Sequence, residues 1–293
     1  MHTAVKSPWL SVFAGLLFAI FWGSGSTITK FGLQYLQPWV LVVCRLLTAA
    51  IIMLIIAHVI LRYQLPQKKH LKSIAIYGFF NLSVFLGMYT YALQFVPGGL
   101  GTLMTAVTPI FITLLINLSL KKKISGVIIF SLLLCLLGVF ITAWPVIYFS
   151  KAPIWGMLIL LIGIISNAIG AIYFVRTDWD GINLLTINAW QTLLGALFLL
   201  PLCLYYYDGN LNNFTYQAII SVGWLAIFLS TTAILLWLFI LRQNPVRAAF
   251  WLFLCPIVGF ALASILLHEP ITYFTIIGIT LVVSGLYISQ RNA

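Results

Sequence analysis

Acidic side chains are what this sequence most conspicuously lacks: four in 293 residues, Asp178, Asp180, Asp208 and Glu269. Charged residues of both signs make up 6% of the chain, where a water-soluble domain carries about 25%. So few charges cannot cover a solvated surface, which excludes a soluble fold. The four cysteines (Cys44, Cys135, Cys203, Cys255) lie far apart within apolar runs and show no metal-ligand pattern. They read as small buried hydrophobes, and no metal or other cofactor is expected. Segments of alternating apolar and polar residues, the signature of a membrane barrel, are also missing. His58, His70 and His268 are scattered, without the clustered His, Asp, Glu or Cys that a membrane-embedded lipid enzyme needs.

What is present is apolar. The chain is 63% hydrophobic, with a mean hydropathy of +1.13. Ten apolar segments close to the bilayer-spanning length of about 20 residues cover approximately 9–29, 39–61, 73–95, 98–118, 125–144, 153–175, 183–204, 217–241, 246–267 and 271–289. Backbone groups in hydrocarbon must be satisfied within the chain, so these segments should be helices. The run from Trp9 to Ile28 is long enough to span and lacks an A-x-A-type cleavage site. It therefore reads as the first span rather than as a cleaved leader.

The net charge of +11 does not indicate nucleic acid, because the basic residues sit in short loops rather than on one solvated face. Their distribution reports orientation instead. If the loops are numbered alternately from the N-terminus, one side holds Lys6, Arg62, Lys68, Lys69, Lys72, Lys121, Lys122, Lys123, Arg176, Arg242, Arg247 and Arg291. The other side holds Lys30 and Lys151, while Arg45 lies within the second span. A bias of twelve to two is a strong positive-inside signal. Both termini should be cytoplasmic, and the Lys121–Lys123 run reads as a cytoplasmic anchor.

An offset of 147 residues places Pro109 on Pro256, Gly138 on Gly285, Ser131 on Gly278 and Gly23 on Gly170. Chance matches of Leu and Ile are common in apolar helices, so the prolines and small residues carry the weight. Each half, 1–147 and 148–293, then holds five spans. An odd number inverts the second half in the membrane, a plan that secondary transporters use. The expected fold is an all-α integral membrane protein of ten transmembrane helices arranged as two inverted five-helix repeats. At the same offset Lys122 lies over Glu269, so one corner is basic where its counterpart is acidic.

The stretch "FWGSGSTITKFGLQYLQPWVLVVCRLLTAA" (21–50) resembles the first repeat of the EamA family of the drug/metabolite transporter superfamily. Trp22, Gly23, Ser24, Lys30, Pro38 and Arg45 carry the likeness. "YALQFVPGGLGTLMTAVTPIFITLLI" (91–116) and "LLHEPITYFTIIGITLVVSGLYIS" (266–289) are similar to later family signatures. One departure is Lys122, where the first repeat of the family usually has a Glu. The resemblance implies a carrier of small metabolites in a bacterial inner membrane, often outward. It also implies a central cavity lined by the first, third, fourth, sixth, eighth and ninth helices.

On those helices Trp22, Asn81, Tyr89, Thr105, Asn167, Trp237 and Trp251 are the cavity candidates. The aromatics could stack on a substrate or simply pack against lipid and core. Asn81 and Asn167 could contact substrate or act as interhelical glue, the role favoured for Asn188 and Gln191. Pro109 and Pro256 are paired mid-helix interruptions and read as a hinge beside a central site. Arg45 sits six residues into its span, about 9 Å deep. It is either a carboxylate-binding group or an arginine that snorkels outward or bonds helix-end carbonyls. The second reading is favoured, since the second helix is not expected to line the cavity. Glu269 is expected to cap the start of the last helix.

The sequence therefore points to a non-enzymatic secondary transporter or exchanger for a small amphipathic metabolite, an amino acid or related compound. Membrane lipid is its other partner, and a monomer is compatible with the sequence. A lipid-acting enzyme and a channel or non-transporting sensor are the competing classes.

Overall fold

The computed structural model describes residues 8–119, 126–149, 154–236, 251 and 254–291. Among these every regular element is a helix. The helices are α1 (Pro8–Gly32), α2 (Pro38–Ile60), α3 (Lys68–Ala92), α4 (Gly98–Ala106 and Thr108–Ser119), α5 (Gly126–Phe149), α6 (Ile154–Arg176), α7 (Leu184–Tyr205), α8 (Tyr216–Leu236), α9 (Leu254–Leu267) and α10 (Tyr273–Arg291). Six of them (α1, α2, α3, α6, α7 and α8) are long and apolar enough to cross a membrane. The other four contain shorter apolar stretches that fall where the fourth, fifth, ninth and tenth spans are expected. The lysine run at 121–123 and Trp237 lie outside the described residues.

Local chemistry sets several of the helix ends. Pro38 occupies the first turn of α2, where no intrahelical N–H is needed. The Asn183 side chain accepts from Leu185 N at 2.9 Å to start α7, and Thr215 accepts from Ala218 N at 3.4 Å to start α8. Arg62 and His268 follow the ends of α2 and α9 with φ of 52° and 54°, left-handed backbone that closes off a helix.

Among the packing contacts of the bundle are α1 on α8 and α9, α6 on α3 and α4, α2 on α7, and α5 on α10. Small residues set the closest approaches. A Cβ on Gly138 would stand 2.7 Å from Gly278 O, one on Gly278 would stand 2.5 Å from Gly138 O, and one on Gly285 would stand 2.9 Å from Ser131 O. Between these, Cys135 Sγ donates to Val282 O at 3.5 Å. As the residue number on α5 rises, that of its partner on α10 falls, so the two helices run antiparallel with their backbones in contact. Without a hydrophobic drive between helices in lipid, such close packing is a main source of association.

The helices that reach the centre are not regular. α3 widens into a π turn over Phe79–Val84, and α8 does so over Leu225–Ala233. At the offset of 147, Phe79–Val84 falls on 226–231, inside the α8 turn. α4 breaks at Val107, and Pro109 stands in the first turn of its second piece, where a missing N–H costs little. Pro256 lies within α9 and is buried. Pro109 thus lies near the start of a helical segment rather than in the middle of one.

Gly278→Ala places a methyl group against Thr142 Oγ1, 1.7 Å from the ideal Cβ. It should destabilise the protein by about 1–3 kcal/mol, read as a lower melting temperature in detergent. Gly223→Ala, whose Cβ meets nothing within 4 Å, should leave the melting temperature unchanged. Equal melting of both variants would contradict this packing.

Candidate functional site

The irregular parts of α3 and α8 border a partly open cavity of about 90 Å3. Trp22 and Gly25 of α1, Arg45 and Leu46 of α2, Asn81 and Tyr89 of α3, and Thr105 of α4 line one part of the wall. Asn167 of α6, Thr192 of α7, and Leu229, Ser230 and Ile234 of α8 line the rest. Five of the seven cavity candidates therefore surround one space: Trp22, Asn81, Tyr89, Thr105 and Asn167. Trp251 lies apart from it, packed against α1, where a Cβ on Gly15 would collide with its indole.

The second helix contributes to the lining, contrary to the expectation that it would not. Arg45 is 5% exposed. Its Nε donates to Ser230 Oγ at 3.0 Å, and Tyr89 lies within electrostatic reach. It neither snorkels to a membrane face nor bonds a helix-end carbonyl. The π turn of α8 presents Ser230 to it, and the π turn of α3 presents Asn81 on the same cavity. Wide turns of this kind recur at functional sites because the extra residue re-aims a side chain.

Behind the wall runs a chain of amides. Asn167 Nδ2 donates to Asn81 Oδ1 at 2.8 Å, Asn81 Nδ2 to Gln191 Oε1 at 3.2 Å, and Gln191 Nε2 to Asn188 Oδ1 at 2.7 Å. Asn188 Nδ2 ends the chain on Met53 Sδ at 3.2 Å. Asn81 and Asn167 are thus both cavity wall and glue, while Asn188 and Gln191 sit behind and hold them. A second polar group joins α1 to α4 and α9: Ser26 bonds Thr102, and Thr27 Oγ1 donates to Gly259 O at 3.2 Å. The Tyr89 hydroxyl lies near Ser26, which brings this group close to the cavity.

One end of the bundle is closed by opposite charges on a single turn. Glu269 Oε1 accepts from Gly98 N at 2.7 Å and Oε2 from Gly99 N at 3.1 Å. Lys30 Nζ donates to Val96 O in the same turn. Glu269 therefore caps α4, not α10 as expected. The exposed amides of the Gly98-Gly99 start and the positive helix end attract the carboxylate more strongly than its own neighbours do. At that end Gln37 Oε1 also accepts from Asp208 N at 2.9 Å and from Asn212 Nδ2 at 2.6 Å, linking the loops after α1 and α7. At the other end Asp180 Oδ2 meets Lys69 Nζ at 2.7 Å and His70 Nε2 at 2.9 Å. Lys69 and His70 beside it hold the Asp180 carboxyl well below its usual range, at about 2.

With the geometry in place, comparison with known proteins identifies the lineage. The sequence pattern of the EamA-like transporter family matches residues 9–144 and 154–290. The chain belongs to the EamA-like transporter family. It is a multi-pass membrane protein of the drug/metabolite transporter type. An uncharacterized transporter of Archaeoglobus fulgidus is 26% identical over 275 residues, covering 93% of this chain and 95% of that protein. The uncharacterized transporter YoaV of Bacillus subtilis is 28% identical over 106 residues, covering 36% of each. A solved crystal structure superposes with a TM-score of 0.68 over 98% of both chains at 13% identity, which establishes the likeness of fold.

Glu269→Ala should lower stability by about 1 kcal/mol, and Glu269→Gln, which keeps one acceptor, by less. Melting temperatures identical to that of the unaltered protein would contradict the cap. Asp180 is bound below its ordinary value of 3.8, so its contribution is complete above about pH 4 and is lost as pH falls through about 2. The melting difference between the protein and Asp180→Asn should narrow as pH falls from about 4 to 2. The pair is exposed, so the difference is small throughout. A difference that grows on acidification would contradict the ion pair.

Proposed function

We propose that this protein is a secondary transporter or exchanger that carries a small amphipathic metabolite through the cavity by alternating access. The observation that carries the reading is the composition of the wall. Residues 22–105 supply one part and residues 167–234 the rest, so relative movement of the two halves opens or closes the site. Each half, 1–147 and 148–293, is read as a five-helix repeat, the second inverted.

The reciprocal contacts support that inversion. At the offset of 147, Gly138 against Gly278 and Ser131 against Gly285 exchange into one another, and Cys135 against Val282 maps onto itself. This is the pattern of a two-fold axis running between α5 and α10. The helix partners exchange as well, since α1 on α8 and α9 corresponds to α6 on α3 and α4. The paired π turns at the cavity give each half an equivalent place to bend.

The lysine and arginine bias sets both termini in the cytoplasm and places the Glu269 latch on the outer face. A bacterial inner membrane, outward transport and an amino acid or related compound as substrate come from the family resemblance. Apolar and aromatic walls with a few amides suit such an amphipathic solute.

Counterflow tests the reading. Proteoliposomes preloaded with an unlabelled amino-acid mixture should take up a labelled member saturably, faster than empty vesicles do. Asn167→Ala should lower that flux about tenfold. Uptake indifferent to internal substrate would indicate a channel, and no saturable flux of any solute would overturn transport.

A further inference from the structure

Among the described residues the cavity wall holds one charge without a counter-ion, and we infer that it selects the substrate: Arg45 is the docking group for a carboxylate on the transported molecule. The inference rests on the transport reading and adds the chemical class of solute to it.

The acids decide the matter. The chain has four, and none can serve as counter-ion to Arg45. Asp180 holds Lys69 and His70, and Glu269 holds the amides of Gly98 and Gly99. Asp178 Oδ1 accepts from Asp180 N at 3.0 Å, and Asp208 Oδ1 accepts from Asn210 N at 2.9 Å. All four lie in the segments that connect helices, whereas Arg45 lies within α2 on the cavity wall. A guanidinium carries five N–H donors. Among the described residues one of them, Nε, has a protein acceptor, the neutral Ser230 hydroxyl. A buried cation this poorly paired is costly unless an anion reaches it, and the cavity is where that anion can come from.

The chemistry narrows the anion further. Guanidinium is planar and matches the two oxygens of a carboxylate in a bidentate pair. Arg45 is the one charged side chain among the described residues of the wall, and one fixed charge balances a monoanion where a phosphate dianion would leave one charge unmet. The other cation near this region, Lys30, is engaged on Val96 O at the closed end. The same cavity is lined by Asn167, whose Nδ2 is committed to Asn81 and whose Oδ1 has no donor among the described residues. That oxygen can accept an N–H or O–H from the same solute, and Trp22, Phe85 and Tyr89 offer apolar faces for its body.

Two probe sets test this with the purified full-length protein in detergent. L-phenylalanine and 3-phenylpropionate keep the carboxylate, while phenylalaninamide and 2-phenylethylamine lack it; leucine, 4-methylpentanoate and leucinamide repeat the comparison with a smaller body. At least one carboxylate of a set should raise the melting temperature, and its analogues without the carboxylate should not. Arg45→Gln should weaken that binding about tenfold or more. Arg45→Lys, which keeps charge without the fork, should fall between, and Lys72→Gln at the exposed start of α3 should behave as the unaltered protein. Should Arg45→Gln fail to fold, the comparison of acid with amide on the unaltered protein still decides.

Stabilisation by the amides and amine equal to that by the acids, unchanged binding in Arg45→Gln, or no stabilisation by any carboxylate overturns the assignment. Counterflow separates the two levels. Carboxylate-dependent binding without counterflow sinks transport and leaves the anion site standing. Counterflow of solutes without an anionic group, undiminished in Arg45→Gln, sinks the anion site and leaves transport standing.

Discussion

A guanidinium surrounded by membrane-spanning helices, with no carboxylate to pair with, is the constraint around which this structure is arranged. A charge at mid-membrane costs at least about 2.5 kcal/mol even on the mildest scale, and evolution removes such groups unless they serve a purpose. Arg45 could be neutralised by one acidic substitution on α1, α3 or α8. None is present, and the four acids stand where the chain connects its helices. The scarcity of acid is thus not only a consequence of living in lipid. It keeps the cavity electrostatically open to an anion from outside the protein.

The rest of the architecture holds that group in place without burying it completely. The α8 π turn presents Ser230 to Arg45, and the amide chain from Asn167 through Asn81, Gln191 and Asn188 fixes the facing wall. Small residues at the α5–α10 contact and at Gly23, whose Cβ would stand 2.8 Å from Cys255 O, let the helices approach closely enough to enclose the site. The grip of Lys30 and Glu269 on the turn before α4 closes one end of the bundle. Sliding or rocking of the halves would have to release that grip, so the connecting acids have a mechanical role while the spans carry the recognition.

Much of this was legible in the sequence, for identifiable reasons. Hydropathy and length located the helices, because hydrocarbon leaves the backbone little alternative. The recurrence of glycine and proline at a fixed offset pointed to the internal repeat, while the contact of α5 with α10 that the small residues allow came only with the fold. Trp22, Asn81, Tyr89, Thr105 and Asn167 could be singled out as polar or aromatic residues on helices the family resemblance assigns to a cavity, and all five line one space. What was not legible depends on the register between distant segments. A π turn has no residue signature, so nothing in "FFNLSV" or "LAIFLSTTA" announces one. Arg45 looked peripheral because the side of α2 that meets α8 is fixed by packing, not by periodicity. Glu269 looked like a cap for the helix that follows it, and only the folded chain brings the free amides of Gly98 and Gly99 within reach.

The most direct test of this account is the thermal stability of Arg45→Met in detergent without added solute. A residue retained to bind substrate, at a cost to the fold, gives a variant that melts at or above the temperature of the unaltered protein. A residue retained as structural glue between α2 and α8 gives one that melts several degrees lower, and that result would contradict the account.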